Sequence, residues 1–396
     1  GGAVFGEHRS EMVGEPGLAR PVLTVDGDHD PSPGGAPSHL VPKRAPQRER
    51  GVRGLIRVAG VLPVVAEVVR FVHTLQPTGA GARISARLRP AGPRAKTYAG
   101  DVLDLANPLI TWYRENARPL PWRSPGYGAW GVLVSEFMLQ QTPVARVIPH
   151  LEAWLERWPT PAALSASPPA DAVRAWANLG YPRRALWLHR AAVEITTRHD
   201  GIVPRDVAAL LALTGIGDYT ARAVAVFAYG DRHPVVDTNT RRVIARVVAG
   251  RAQPGPPAKG DLAAMERLLP QDDIDAAIVN AAAMELGAVV CTARAPRCAI
   301  CPVSASCAWR AAGYPDTEDT RRRQARYEGS DRQARGAVLK ALRDHPGGDA
   351  DDATRDIRVD ELLRTWPDRL QRDRAIDSLV SDGLIEIEDG IARLPR

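Results

Sequence analysis

All four cysteines of this 396-residue chain fall within one seventeen-residue segment, CTARAPRCAICPVSASC, at Cys291, Cys298, Cys301 and Cys307. Their spacing is Cys-x6-Cys-x2-Cys-x5-Cys. Four soft sulfur donors so close in sequence suit a tetrahedral metal ion or an iron–sulfur cluster. Structural zinc is the competing reading, but the usual zinc ribbon carries two Cys-x2-Cys pairs and this segment has one. Two disulfides would need an oxidising compartment, and no secretory signal accompanies the cysteines. With four protein ligands no coordination position stays open for water or substrate, so such a site would be structural. The spacing predicts an iron–sulfur segment in reducing surroundings, hence a cytoplasmic protein.

Around that segment the chain reads as helical. Between about residues 101 and 312, apolar residues recur at helical spacing between Pro and Gly breaks, without convincing strand alternation. Helices are predicted over 103–116, 129–139, 144–158, 170–178, 183–199, 205–211, 218–229, 238–248, 260–268 and 272–287. Residues 1–100 are rich in Pro, Gly and Arg with little periodicity, and read as a low-order extension. Because the chain does not open on Met, that extension reads as a lead-in more than as a basic nucleic-acid-binding arm. Its most apolar stretch, 55–72, contains Arg57, Glu67, Arg70 and a central Pro63, so it is no membrane span, and it lies too far along for a signal peptide. A net charge of +6 gives mild support for a polyanionic partner.

A basic linker at 313–328, containing RRRQAR, leads into a small unit at 329–396. Its pattern is helix, helix, helix, hairpin, that of a winged helix whose third helix would enter a major groove. Residues 331–396 carry 12 Lys and Arg against 15 Asp and Glu, net −3. A domain that reads DNA independently carries the opposite sign, so a packing or protein-contact role is at least as well supported.

Three features carry chemistry. Leu213–Thr220, LTGIGDYT, lies between two helical runs, where Gly215 and Gly217 permit a tight turn that exposes backbone amides to a phosphate. Glu136 sits among Leu133, Val134, Phe137, Met138 and Leu139, where a carboxyl group would hold its proton near neutrality. Asp237 follows an apolar pair and precedes a helix, the position of an N-cap, where a carboxylate stays ionised. One protonated and one ionised carboxyl group is the pairing that glycosidic cleavage requires.

Taken in order, LPWR (120–123), SEFMLQQT (135–142), LTGIGDYTA (213–221), VVDTNTRRV (235–243) and the cysteine spacing resemble the helix-hairpin-helix DNA glycosylases of the endonuclease III superfamily. More narrowly the chain resembles the A/G-specific adenine DNA glycosylase (MutY) family, over about 101–312. The resemblance implies an all-α helix-hairpin-helix glycosylase fold with an iron–sulfur segment. It comprises a six-helix barrel over 123–234 with the hairpin at 205–230, and a second helical domain built from 101–122 and 235–312. It also implies one 4Fe–4S cluster on the four cysteines. The implied partner is double-stranded DNA with adenine opposite 8-oxoguanine or guanine, met by a monomer.

By the same resemblance, Glu136 protonates the departing adenine at N7. Asp237 stabilises the positive sugar, and Tyr219 and Asn239 orient the two. Arg123 and Trp130 line the site, Gln141 beside Gln140 wedges into the duplex, and Tyr181 contacts DNA. Gly215 and Gly217 grip the backbone, and Arg294 and Arg297 face phosphates. Tyr219 stands where strand-cleaving relatives carry a nucleophilic Lys, so a monofunctional hydrolase is expected. Pro182 stands where many members have a second Tyr, and Thr238 where Gly is common. The Phe-Ser-His motif by which many members read 8-oxoguanine is absent. A thymine or uracil glycosylase acting opposite G is the runner-up, and a non-enzymatic DNA-binding scaffold would make both carboxylates bystanders.

Overall fold

The computed structural model describes residues 105–315, 326–345, 356–362 and 364–396, all within one compact unit. The expectations for 1–100 and for the basic run at 321–325 lie outside them. Helices begin where the sequence supplies caps: Thr160, Asp206, Asp237, Asp272, Ser330 and Asp368 each accept a hydrogen bond from the backbone N–H three residues on. These bonds satisfy amides that a helix start otherwise leaves unpaired.

The first body gathers around α2 (Gly128–Leu139). Every residue from Trp130 to Met138 is buried, so this helix is enclosed on all sides. Around it run α3 (Val144–Arg157), α4 (Pro161–Ser165), α5 (Pro169–Trp176), α6 (Arg183–Arg198), α7 (Val207–Leu211) and α8 (Asp218–Tyr229). Leu133, Phe137, Met138, Trp154, Trp176, Leu188 and Leu210 make its centre. The sequence reading had no helix at α4, whose five residues are too few to show a period.

The second body returns to the start of the described chain. Helix α1 (Ala106–Asn116) packs on α11 (Asp273–Val289), which packs on α9 (Thr238–Val247). Helices α10 (Gly260–Glu266) and α12 (Ala308–Ala311) close it, around Leu109, Val247, Met265, Val279 and Leu286. No helix among the described residues is long and apolar enough to cross a membrane.

Helix α9 inverts the usual rule about charge. Arg241, Arg242 and Arg246 are all buried. Such cations persist only when their donors are matched, and here backbone carbonyls match them. Arg242 Nε donates to Cys291 O at 2.8 Å, and Arg246 Nη1 to Thr292 O at 2.7 Å and Nη2 to Ala293 O at 3.1 Å. Arg241 bonds Asp261 at 2.7 Å and the carbonyl of Pro256 at 2.7 Å.

The expected iron–sulfur segment is corrected by the structure. Cys291, Cys298, Cys301 and Cys307 are free thiols that line one cavity with Arg246 and Trp309. Yet no group of three or more His, Cys, Asp or Glu side chains among the described residues is placed to hold a metal ion. The sulfurs have other engagements: Cys291 Sγ accepts from Arg246 Nη1 at 3.3 Å, and Cys307 Sγ donates to the carbonyl of Arg246 at 3.6 Å. Burial pushes the Cys301 thiol up to about 11, which keeps it protonated. Neither the cluster nor a metal-binding role is carried further.

The C-terminal unit holds α13 (Asp331–Asp344), β1 (Ile357–Arg358), α14 (Arg369–Ser381), β2 (Glu386–Glu388) and β3 (Ile391–Arg393). The strands form one antiparallel sheet ordered β1-β3-β2, with Ile357 opposite Ala392 and Ile387 opposite Ala392 on the other side. The middle helix of the expected three is replaced by turns. Val359 donates to the carbonyl of Gly390 at 2.9 Å, which draws the segment onto the hairpin and makes it an edge strand. Pro367 then leaves too short a run for a second helix.

Candidate active site

Four residues predicted from sequence meet where the two bodies face each other. Glu136 lies on α2, Tyr219 in the first turn of α8, Asp237 at the N-cap of α9 and Asn239 just inside that helix. Glu136 is 6 % exposed and accepts a hydrogen bond from Tyr219. Burial, with the nearby Asp237 carboxylate adding to it, raises its pKa to about 7, while the Tyr219 bond pulls the other way. Burial and the two carboxylates push the Tyr219 hydroxyl well above its ordinary value, so it stays a donor.

Asp237 differs in its partners. Its Oδ1 accepts from Thr240 N at 2.6 Å and its Oδ2 from Asn239 Nδ2 at 2.9 Å. Burial raises its pKa, and donors from Thr240 and Asn239 and the charge of Arg242 oppose the rise. Two carboxyl groups thus share a dry site, one held by a phenol, the other by an amide and a helix start. Burial raises both, and only Asp237 has several donors and a cation opposing the rise.

The backbone that sets Asp237 is clamped from α11. Asn280 Oδ1 accepts from Val235 N at 2.8 Å, and its Nδ2 donates to His233 O at 3.0 Å. Gly287 does the rest. A Cβ built there would lie 2.7 Å from Asn239 Cβ and 2.9 Å from its carbonyl oxygen. The helices therefore approach as only glycine allows. Asn239 Oδ1 accepts from Arg242 Nη2 at 2.7 Å, and the same nitrogen reaches Gly287 O at 2.7 Å. Gly287→Ala is accordingly expected to displace Asn239 and cut the single-turnover rate of the site about a hundredfold, the penalty of an ångström-scale shift at a reacting group. An unchanged rate in a rapid-quench measurement would show that the approach is incidental.

The hairpin between α7 and α8 needs one of its glycines for conformation. Gly215 has φ +79°, and a Cβ there would meet Trp187 Cβ at 2.7 Å. Gly217 has φ −97° with open space around it, so its freedom is at the surface. Thr214 fixes the turn on α6 through its N–H and hydroxyl, both 2.8 Å from the Glu194 carboxylate.

The remaining sequence candidates are spread more widely. Arg123 reaches Glu285 Oε2 at 2.8 Å. Trp130 lies in the barrel core, its indole N–H bonded to Trp158 O at 2.9 Å. Gln140 ends α2 and Gln141 follows at φ +56°, exposed. Tyr181, at φ +47°, is 53 % exposed. Arg294 and Arg297 are exposed on the cysteine segment, Arg297 also donating to Val289 O.

Sequence reasoning missed Glu285 and Arg118. Glu285 is 1 % exposed and takes Arg118 at 2.6 and 2.9 Å besides Arg123. Burial alone would raise its pKa, but the bonds from Arg118 and Arg123 take it below the ordinary value. A single acid within the apolar run of α11 was the available signal. It also missed Arg184, whose buried guanidinium donates to the carbonyls of Phe137 at 2.7 Å, Gln140 at 2.6 Å and Gly180 at 3.0 Å.

The chain is similar to known proteins over the residues that form this site. The family described as "HhH-GPD superfamily base excision DNA repair protein" matches residues 134–268, which span Glu136, the hairpin and Asp237. The fold and site thus define a helix-hairpin-helix protein of base excision repair. An adenine DNA glycosylase of Mycolicibacterium smegmatis is 54 % identical over 279 residues, 70 % of this chain and 91 % of that protein. One from Mycobacterium tuberculosis is 50 % identical over 290 residues, covering 72 % and 92 %. A thymine/uracil-DNA glycosylase of Pyrobaculum aerophilum is 34 % identical over 208 residues, covering 52 % and 90 %. The chain belongs to the adenine DNA glycosylase family.

Proposed function

We propose that this protein is an adenine DNA glycosylase that hydrolyses the N-glycosidic bond of adenine mispaired with 8-oxoguanine or guanine. The observation that carries the reading is the buried pair Glu136 and Asp237, close enough for each other's charge to be felt, with Tyr219 bonded to Glu136. Adenine leaves poorly as an anion. Glu136, with a pKa of about 7, delivers a proton to N7 as the C1′–N9 bond breaks, so neutral adenine departs. Asp237, steadied by Asn239 and the first turn of α9, offsets the positive charge left on the sugar. Water then adds at C1′ and surrenders a proton to the Glu136 carboxylate, leaving an abasic site.

The partner is DNA. Gln141 and Tyr181 meet the duplex where adenine is extruded, and Gly215, Gly217, Arg294 and Arg297 meet its backbone. Arg123 holds the pocket wall with Arg118 and Glu285. Tyr219 carries no amine, so no Schiff base forms and the strand stays whole. The thymine/uracil reading has the weaker support, since that relative is 34 % identical against 54 % for the adenine enzyme.

Duplexes with A opposite 8-oxoguanine, A opposite G, T opposite G and U opposite G separate these readings when abasic sites are counted after alkaline cleavage. The two adenine substrates are expected to be processed first. A preference for T opposite G would sink the adenine assignment, and breaks arising without alkali at the rate of base release would sink the monofunctional one.

A further inference from the structure

The C-terminal unit has the outline of a DNA-reading winged helix but spends its charge on itself. Arg369 and Arg372 pair with Asp373, and Arg374 pairs with Asp331. Two of its polar groups instead reach the first body. Arg343, half-buried near the end of α13, donates to the carbonyl of Ala177. Asp382, which follows α14, takes Arg183 at 3.1 Å on one oxygen and Arg335 on the other. Both ties land on the segment 177–183, which joins α5 to the first residue of α6.

That segment is strained. Ala177 has φ +46° and ψ −120°, Gly180 φ +82° and Tyr181 φ +47°. L-residues stay in such conformations only where the surroundings over-determine them. From inside, Trp176 Nε1 holds Gly180 O at 2.9 Å and Thr142 Oγ1 holds Leu179 O at 3.0 Å. Arg184 ties Gly180 and Gln140 to one guanidinium, which makes the Tyr181 loop and the Gln141 turn neighbours. From outside, the holding groups are those of the C-terminal unit. Its Val338, Leu342 and Leu379 belong to the same apolar core as Trp176 and Leu179.

We propose that the C-terminal unit is an intramolecular brace. It keeps segment 177–183 in the strained form that presents Tyr181 beside Gln141 to the duplex, and it reads no DNA itself. This rests on the reading of Tyr181 and Gln141 as the residues that meet the extruded adenine.

The test uses the full chain and two duplexes, one with 2-aminopurine at the target position, whose fluorescence reports extrusion, and one undamaged. Arg343→Ala and Arg183→Ala are each expected to weaken binding of the first duplex about fivefold and to lower its fluorescence change, the effect of one lost charged hydrogen bond. Binding of the undamaged duplex stays as it was, and Arg343→Lys restores extrusion. Arg183→Ala removes a tie without touching the interior of the unit, so it serves if Arg343→Ala fails to fold. Equal losses on both duplexes, or no loss on either, would overturn the brace. Tyr181→Ala separates the two failures. If it lowers extrusion while the tie variants do not, only the brace is wrong. If it leaves extrusion unchanged, the reading of Tyr181 fails and takes the brace with it.

Discussion

Glu136→Gln is expected to bind duplex as tightly as the parent protein and to lose excision by about a thousandfold or more, within the range general acids supply. Glutamine keeps the shape and can still accept from Tyr219, but it has no proton of the required acidity to give. The pH profile should carry the same signature. A carboxyl group raised to about 7 is loaded below that pH and empty above it, so kcat/KM falls as pH rises through about 7. Folding shifts in the same direction. The protonated form is favoured by burial, so stability from this group is full below the ordinary carboxyl pKa and is lost as pH rises through about 7. Rapid-quench excision assays from pH 5 to 9 and duplex titrations check both, and retained turnover in Glu136→Gln would mean that another group is the acid.

Asp237→Asn should cost nearly as much for a different reason. Asparagine is a good N-cap, so α9 keeps its first hydrogen bonds and the fold survives. What disappears is the negative charge facing the sugar, whose loss in a dry site slows reaction by about a hundredfold to a thousandfold. The substitution also removes one of the influences that raise Glu136. The basic limb of the pH profile should therefore move to lower pH in Asp237→Asn, an effect that a general loosening would not produce. A profile with an unmoved basic limb would show that the two carboxyl groups do not sense each other, and the acid and base limbs belong to the pair.

Much of this site is legible in the sequence. The apolar neighbours of Glu136 announced burial, and Asp237 ahead of a helical run announced a cap, because both are consequences of local sequence. The hairpin was legible for the same reason, although only Gly215 proves to need its positive φ. What stayed hidden depends on contacts far apart in the chain. Glu285 and Arg118 are separated by 167 positions, and neither has a local pattern that points to the other. The turns that replace a helix after β1 were set by a hairpin thirty residues on, through the bond from Val359 to Gly390. The cysteine spacing misled for a related reason. Spacing states which donors are near in sequence, while the bonds that Cys291 and Cys307 make are to Arg246, 45 and 61 positions away.

The buried arginines of α9 have a consequence for how the protein is made. Apart from the bond of Arg246 to Ala252 O, Arg242 and Arg246 find their backbone carbonyl partners 45 to 49 positions downstream. Until the chain through Ala293 has left the ribosome, those guanidinium groups must remain in water, because burying them unmatched costs several kcal/mol. The first body can close during synthesis, as domains generally do, with Glu136 already inside it. The helix that begins at Asp237 cannot settle until later. A nascent chain therefore carries its acid in place well before its second carboxylate, and it cannot cleave a glycosidic bond while still being translated through that interval.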